Sequence, residues 1–186
     1  MTRPSGSPAP LSRGRNLRLT EPLDEAVDHI RGPSDGRVIL EYGDYECPYS
    51  RRAFREIQRL ERDQVGIRFA FRHFPLTDIH PHALSAAAAA EAAARQGTFW
   101  EMHEMLFHRQ QELEVDALRR YAAELHLDVD RFDEDRADDQ VRARIQRDAD
   151  SGLASGEVLG TPTLFIDGVV HRGGYDLSSL MAALAA

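Results

Sequence analysis

The sequence predicts an α/β domain. Three observations carry this expectation. A strand–helix–strand order runs from Val38 to Phe71, helical periodicity fills the middle, and a hairpin signal at Asp167-Gly168 precedes a last helix. A strand, a helix and a second strand in close succession form a crossover unit with a parallel pair. The chain has 186 residues, 42% of them hydrophobic, enough for one buried core.

Residues 1 to about 17 are rich in Pro, Gly, Ser and Arg. They bury too little surface to offset their ordering entropy and read as a flexible tail, with the domain running from 18 to 186. Residues 20–37 carry a weak apolar signal and the turn cluster Gly32-Pro33-Ser34-Asp35-Gly36. Val38-Ile39-Leu40-Glu41-Tyr42 reads as a buried strand with one out-of-place carboxylate, Glu41. Pro48 suits the first turn of a helix, where its missing N–H costs nothing. Ala53, Phe54, Ile57 and Leu60 then mark one buried face. Ile67-Arg68-Phe69-Ala70-Phe71 alternates as a second strand.

Ala83 to Arg95 is an alanine-rich helix, and Thr98 with Glu101 matches a capping box for the next. The Trp100, Met102, Met105 and Phe107 cluster reads as core rather than as ligands. Leu118, Tyr121, Ala122 and Leu125 form another helical stripe. Residues 130–150 are highly charged, with Phe132, Val141 and Ile145 as anchors, and read as a solvated helix of low functional content. Thr163-Leu164-Phe165-Ile166 is a strand, Asp167-Gly168 a hairpin turn, and Val169-Val170-His171-Arg172 the antiparallel return. Gly173-Gly174 ends it, and Asp176 can cap a last helix carrying Leu177, Leu180, Met181 and Leu184.

Composition excludes several functions. Acidic residues number 31 against 23 basic, for a net charge of −8, which opposes a general nucleic-acid binder. Every basic residue is Arg, so lysine Schiff-base chemistry and a P-loop are out. No Gly-rich fingerprint follows a strand, and no flavin, NAD or other cofactor is expected. The longest apolar run, Leu180 to Ala186, is far short of a membrane span, and the first ten residues hold no secretory apolar region. Membrane insertion is not expected, and the cytoplasm is the expected location. His80 and His82 flank Pro81, but neither their spacing nor the neighbouring Asp78 and His73 is diagnostic of a metal site, and none is expected. His103, His108 and His126 read as surface or packing residues.

The chemistry centres on Cys47, the one cysteine in the chain. One thiol forms no intramolecular disulfide and no cysteine-rich zinc site. Cys47-Pro48-Tyr49-Ser50 falls where a strand gives way to a helix. Unpaired N–H groups and the positive dipole end there stabilise a thiolate and lower cysteine pKa values from about 8.5 into the range of about 3.5–7.5. Position alone leaves open a buried, inert thiol.

The residues around it resemble the thioredoxin-like DsbA family. The resemblance runs from about Asp28 to the C-terminus. It is carried by Glu41-Tyr42-Gly43-Asp44-Tyr45-Glu46-Cys47-Pro48-Tyr49-Ser50, Arg72-His73-Phe74-Pro75-Leu76, Ile79-His80-Pro81-His82-Ala83 and Gly160-Thr161-Pro162-Thr163-Leu164-Phe165-Ile166-Asp167-Gly168. It is similar in particular to the domains of this family found as soluble proteins or fused behind bacterial sodium/proton antiporters. The resemblance implies a thioredoxin-like fold with a central mixed sheet and a helical subdomain inserted at about 78–155. It implies that Thr161-Pro162 is a cis-proline loop beside the cysteine that pairs with an extended substrate. A strand-initiating proline fits the same residues. It further implies that Glu41 is a buried acid that moves protons near the thiol, with a pKa raised by desolvation; an exposed edge-strand glutamate is the alternative.

One departure matters. The family carries Cys-X-X-Cys, and here Ser50 replaces the second cysteine. A hydroxyl cannot resolve a mixed disulfide, so an outside thiol must do so. The leading expectation is therefore a monothiol exchange protein. Cys47 attacks, Ser50 donates a hydrogen bond to its sulfur, and Pro48, Tyr49, Thr161 and Pro162 receive the substrate. The partner is a cysteine-containing protein or a low-molecular-weight thiol. The alternatives are a non-catalytic binding or regulatory module and a transferase or isomerase resembling kappa-type glutathione transferases.

Overall fold

The computed structural model describes residues 17–63 and 66–186. Residues 1–16 of the expected tail lie outside these. Five strands form one sheet: β1 (His29–Arg31), β2 (Arg37–Gly43), β3 (Ile67–His73), β4 (Thr163–Ile166) and β5 (Val169–Val170), in the order β1-β3-β2-β4-β5. β2 and β3 are parallel, with Leu40 beside Ala70 and Glu41 beside Phe71. The other pairs are antiparallel, so the sheet is mixed. Helix α1 (Pro48–Asp63) makes the crossover between the parallel strands. Five helices lie between β3 and β4: α2 (Ala83–Ala94), α3 (Phe99–His108), α4 (Val115–Glu124), α5 (Val129–Ala137) and α6 (Asp139–Ser155). Helix α7 (Leu177–Ala185) closes the chain. No helix among the described residues is long and apolar enough to cross a membrane.

Alternation in the strands divides the core between the two faces of the sheet. Ile39, Phe69, Phe71, Leu164 and Ile166 join Phe54, Ile57 and Leu60 of α1 and Phe107 of α3 on one side. Leu40, Tyr42, Ala70 and Phe165 pack on the other with Phe74, Val158 and Ala149 of α6. Alanines cover nearly the whole circumference of α2 and are buried on all sides, which lets α3, α5 and α6 approach it closely. The hairpin turn has the expected backbone: Asp167 and Gly168 both take positive φ, 46° and 79°. Asp176 caps α7 by accepting the Ser179 N–H.

Four local expectations are corrected. Residues 20–37 hold a short strand, β1, that their weak apolar pattern concealed; three residues on a sheet margin leave no periodicity to read. The capping box does not form. Gly97 takes positive φ, and the Gly97 and Thr98 N–H groups close the end of α2 on Ala94 O and Ala93 O. Thr98 is thus bound to the helix it follows, and its hydroxyl donates to Gln96 O (3.2 Å) instead of capping α3. The return strand is shorter than expected, ending at Val170. The charged stretch 130–150 is two helices, separated at Asp138, whose side chain caps α6 by accepting the Gln140 N–H.

That stretch is also less solvated than its composition suggests. Asp148 is buried in α6 and accepts the His73 N–H at 3.1 Å. Arg147 donates to both Asp148 and Asp28. Arg72, 2% exposed, donates two parallel bonds to Asp28 at 2.9 and 2.8 Å and further bonds to Tyr42 Oη and the Glu21 and Pro22 carbonyls. Burial pushes the Asp28 carboxyl up, but Arg72, the Asp24 N–H and Arg147 outweigh it and hold the group below its usual range. Removing one member of a buried pair strands the other charge, at about 3–5 kcal/mol. Asp28→Ala is therefore expected to lose about 3 kcal/mol in urea denaturation at pH 7, and Asp28→Leu/Arg72→Met to lose less than the single change. Equal losses would show that the ion pair does not hold this face.

Candidate functional site

Cys47 stands at the carboxyl end of the β2 strand and the amino end of α1. Its carbonyl accepts the Arg51 N–H at 3.1 Å, the first bond of the helix, which places Pro48 in the first helical position. The Cys47 sulfur lies 3.3 Å from Thr161 O, so the Thr161-Pro162 loop rests against it. The Thr161–Pro162 peptide bond is cis. Cys47 is 3% exposed, whereas Tyr49 beside it is 62% exposed. Thus the structure brings together Cys47, Pro48, Tyr49, Thr161 and Pro162.

Ser50 behaves differently from the expectation. It is fully buried, and its Oγ accepts the Asp44 N–H at 3.3 Å. No hydrogen bond between Ser50 and the Cys47 sulfur forms among the described residues. The serine belongs to the loop that shapes the helix start, because that loop folds back over the first turn of α1.

Asp44 organises this loop. Its Oδ1 accepts the Glu46 N–H (2.8 Å) in an Asx-type turn. Its Oδ2 accepts the Leu76 N–H (2.9 Å) and pairs with His80 Nδ1 (2.7 Å). Glu46 in turn accepts the His82 N–H at 2.6 Å. The histidines at 80 and 82 therefore tie the segment after β3 to the cysteine loop. From the other side, Gln110 Nε2 donates to Tyr45 O (2.7 Å) and Cys47 O (2.9 Å). The Asp44-Tyr45-Glu46 spacing offered a turn signal; Gln110 offered none, since nothing local marks a glutamine after α3 as a distant clamp.

Glu41 lies in β2 between Phe71 and Leu164, fully buried, with neither carboxylate oxygen hydrogen-bonded. Burial alone pushes it up to about 8. Gly43 is needed above it: a Cβ there would stand 2.4 Å from the Phe71 ring and 3.0 Å from Glu41 Oε1. Close by, the Tyr45 hydroxyl pairs with His103 Nδ1 at 3.0 Å. Burial raises Tyr45, with the charges of Glu91 and Glu41 adding to it. Burial, then the charges of Arg31, His73 and His29, lowers His103 well below its ordinary range and keeps it neutral. With Tyr45 as donor, His103 carries its proton on Nε2, which faces the aromatic rings without a polar partner.

Residues 24–186 match the family described as Thioredoxin. The chain belongs to the thioredoxin family. Its fold is the DsbA-like form of that family, as solved structures attest. A thioredoxin-like oxidoreductase from Silicibacter pomeroyi DSS-3 is 26% identical, covering 92% of this chain and 95% of that one at a TM-score of 0.75. BdbD from Bacillus subtilis, oxidised, is 20% identical, covering 91% and 97% at a TM-score of 0.78. Alpha-DsbA2 from Wolbachia pipientis, a thiol-disulfide exchange protein, is 21% identical, covering 87% of each chain at 0.76. Among curated sequences, Na(+)/H(+) antiporter NhaA 3 of Salinispora tropica is 47% identical over 169 residues, 90% of this chain but 26% of the antiporter. NhaA of Herminiimonas arsenicoxydans is 44% identical over 171 residues, 27% of its length. The chain thus spans about a quarter of the length of these relatives.

In this thioredoxin-family site the chemistry available is that of one sulfur, a helix amino terminus and a buried acid. One further cluster could hold a cation: His29 and His73 both point Nε2 at Glu91 Oε1, each at 2.8 Å. There the carboxylate already receives both rings, and Arg144 lies 3.8 Å from the same oxygen. Burial raises Glu91, but the two histidines more than reverse this and hold it well below the carboxylate range. A fixed guanidinium beside the donors opposes a metal ion, and the cluster is read as a hydrogen-bonded ion network.

Glu41 gives a pH signature. Its folded value, about 8, lies above its ordinary 4.5. Between those limits the folded chain holds a proton that the unfolded chain has lost, so this contribution is complete below pH 4.5 and disappears as pH rises through 8. Glu41→Gln cannot ionise. It is expected to match the parent near pH 4 and exceed its stability at pH 9 by up to about 5 kcal/mol in urea denaturation. Parallel curves for the two proteins across that range would mean that Glu41 is solvated or paired.

Proposed function

We propose that this chain is a monothiol thiol–disulfide exchange protein with Cys47 as its nucleophile. The observation that carries the reading is the position of Cys47 Sγ, at the start of α1 and 3.3 Å from Thr161 O of the proline loop. Cys47 attacks a disulfide, one partner sulfur leaves as a thiol, and Cys47 holds the other in a mixed disulfide. Ser50 cannot complete the cycle, so an external thiol attacks the mixed disulfide and frees Cys47. Thr161 and Pro162 receive the substrate chain beside the sulfur, with Pro48 and the exposed Tyr49 on the rim. Glu41, with its high proton affinity, exchanges protons near the thiol as Cys47 is released. The cytoplasm is the proposed location.

A second reading is a thioredoxin-like module that binds or regulates without turnover. It is favoured by Ser50 and by the relatives, sodium/proton antiporters of which the matching segment is about a quarter. In that case the segment serves an attached or separate transporter.

Two measurements decide between them. Incubation with bis(2-hydroxyethyl) disulfide is expected to add one thiol per chain by intact mass, on Cys47, and none to Cys47→Ala. At pH 7, iodoacetamide is expected to modify Cys47 about tenfold faster than free cysteine. A Cys47 that neither forms the adduct nor outpaces free cysteine would favour the non-catalytic module. Ser50→Cys is expected to restore an internal disulfide and raise disulfide-reductase turnover by about tenfold or more, read in a dithiothreitol-coupled insulin assay.

A further inference from the structure

The arginines of this acidic chain are mostly neutralised. Among the described residues, Arg18, Arg51, Arg52, Arg55 and Arg62 alone enter no ion pair. Every Asp and Glu of the sequence falls within those residues, so no acidic side chain elsewhere can pair with them. Three of the five occupy the first two turns of α1, directly after Cys47-Pro48-Tyr49-Ser50, and no acid lies in that first turn.

At 3.6 residues per turn, Arg51, Arg55 and Arg52 span an arc of about 100° on α1, opposite the buried face of Ala53, Phe54 and Ile57. Cys47, four residues before Arg51, heads this stripe. Helical side chains lean toward the amino terminus, so the guanidinium groups tilt toward the sulfur end. Arg51 is half-buried, and its Nε has no hydrogen-bond acceptor. The Arg52 guanidinium sits 5.8 Å from the Tyr175 ring. Tyr175 itself is raised by burial, eased by Arg52, and raised further by Tyr49 and Cys47.

We infer that the low-molecular-weight thiol or disulfide that reacts at Cys47 carries carboxylates, received by the Arg51, Arg52 and Arg55 stripe. This rests on the exchange reading above and names its external partner. Size follows from burial, since Cys47 is 3% exposed and a small molecule reaches it more readily than a folded protein surface does. Charge follows from three guanidiniums without an ion partner on the first two turns of the helix that Cys47 opens, in a chain whose net charge is −8. The steps balance. Cys47 thiolate attacks one sulfur of RS–SR; the Cys47–SR bond forms, the S–S bond breaks, and RS⁻ leaves. A second thiolate R′S⁻ then attacks the SR sulfur, giving R′S–SR and returning Cys47 as thiolate. Cys47 is oxidised in the first step and reduced in the second.

The test compares second-order rates of Cys47 modification by glutathione disulfide (anionic), bis(2-hydroxyethyl) disulfide (neutral) and cystamine (cationic). The readout is the anionic-to-cationic rate ratio, which cancels changes in the reactivity of the thiol itself. In low salt the wild-type ratio is expected to exceed that of Arg51→Gln/Arg52→Gln/Arg55→Gln by about tenfold. It is also expected to fall toward the variant's ratio at 1 M salt, where screening acts within about 3 Å. The salt series needs no variant and stands if the triple change misfolds. A ratio that ignores both salt and the substitutions overturns the inference while leaving exchange intact. If none of the three disulfides modifies Cys47, the exchange reading and this inference fall together.

Discussion

The site depends on one buried carboxylate with its hydrogen bonds satisfied. Asp44 is 2% exposed and holds the Glu46 and Leu76 N–H groups and the His80 ring. A carboxylate taken out of water is costly unless such donors replace its solvent. Here the donors come from its own loop and from the segment after β3. Satisfying Asp44 therefore fixes where β2 ends, where α1 begins, and how the 76–82 segment lies beside them. Gln110 adds the restraint from the turn after α3, and the Thr161 loop closes against the sulfur. The cysteine is positioned by contacts that leave the sulfur itself uncommitted except toward Thr161.

Three residues earlier, Glu41 shows the opposite treatment. It is just as buried but has no hydrogen-bond donor for either oxygen. The strand β2 thus carries an unpaired acid that holds a proton, and the loop just after it a paired acid that holds geometry. Their side chains are two and three carbons long, but the difference lies in what surrounds them. The loop offers N–H groups to Asp44, while the sheet centre offers Glu41 only Phe71, Leu164 and the bare backbone of Gly43.

Much of this frame was legible in the residues. The apolar spacing of α1, the alternation of β3 and the Asp167-Gly168 turn were strong local signals, and tertiary packing agreed with them. Glu41 stood out as a carboxylate in an apolar strand. The DsbA-like resemblance supplied what spacing could not, the nearness of Thr161-Pro162 to Cys47. What stayed hidden depends on distant partners. β1 is too short to show a period, Gln110 acts across 63 residues, and the Thr98 hydroxyl is diverted by the end of the preceding helix. The charged helices misled because composition counts arginines and aspartates without showing that Arg72, Asp28, Arg147 and Asp148 neutralise one another in the interior.

The two margins of the sheet are short: β1 has three residues and β5 two, with Arg18 bridging to Val169 along the latter. Long unpaired strands at such positions template the docking of neighbouring copies into fibrils. Margins this brief give an incoming strand only a few rungs to grip. Along β5 the segment 17–19 already takes up part of that grip, with the Leu19 N–H on Gly168 O and the Val170 N–H on Leu17 O, so fewer rungs still are left to a neighbouring copy.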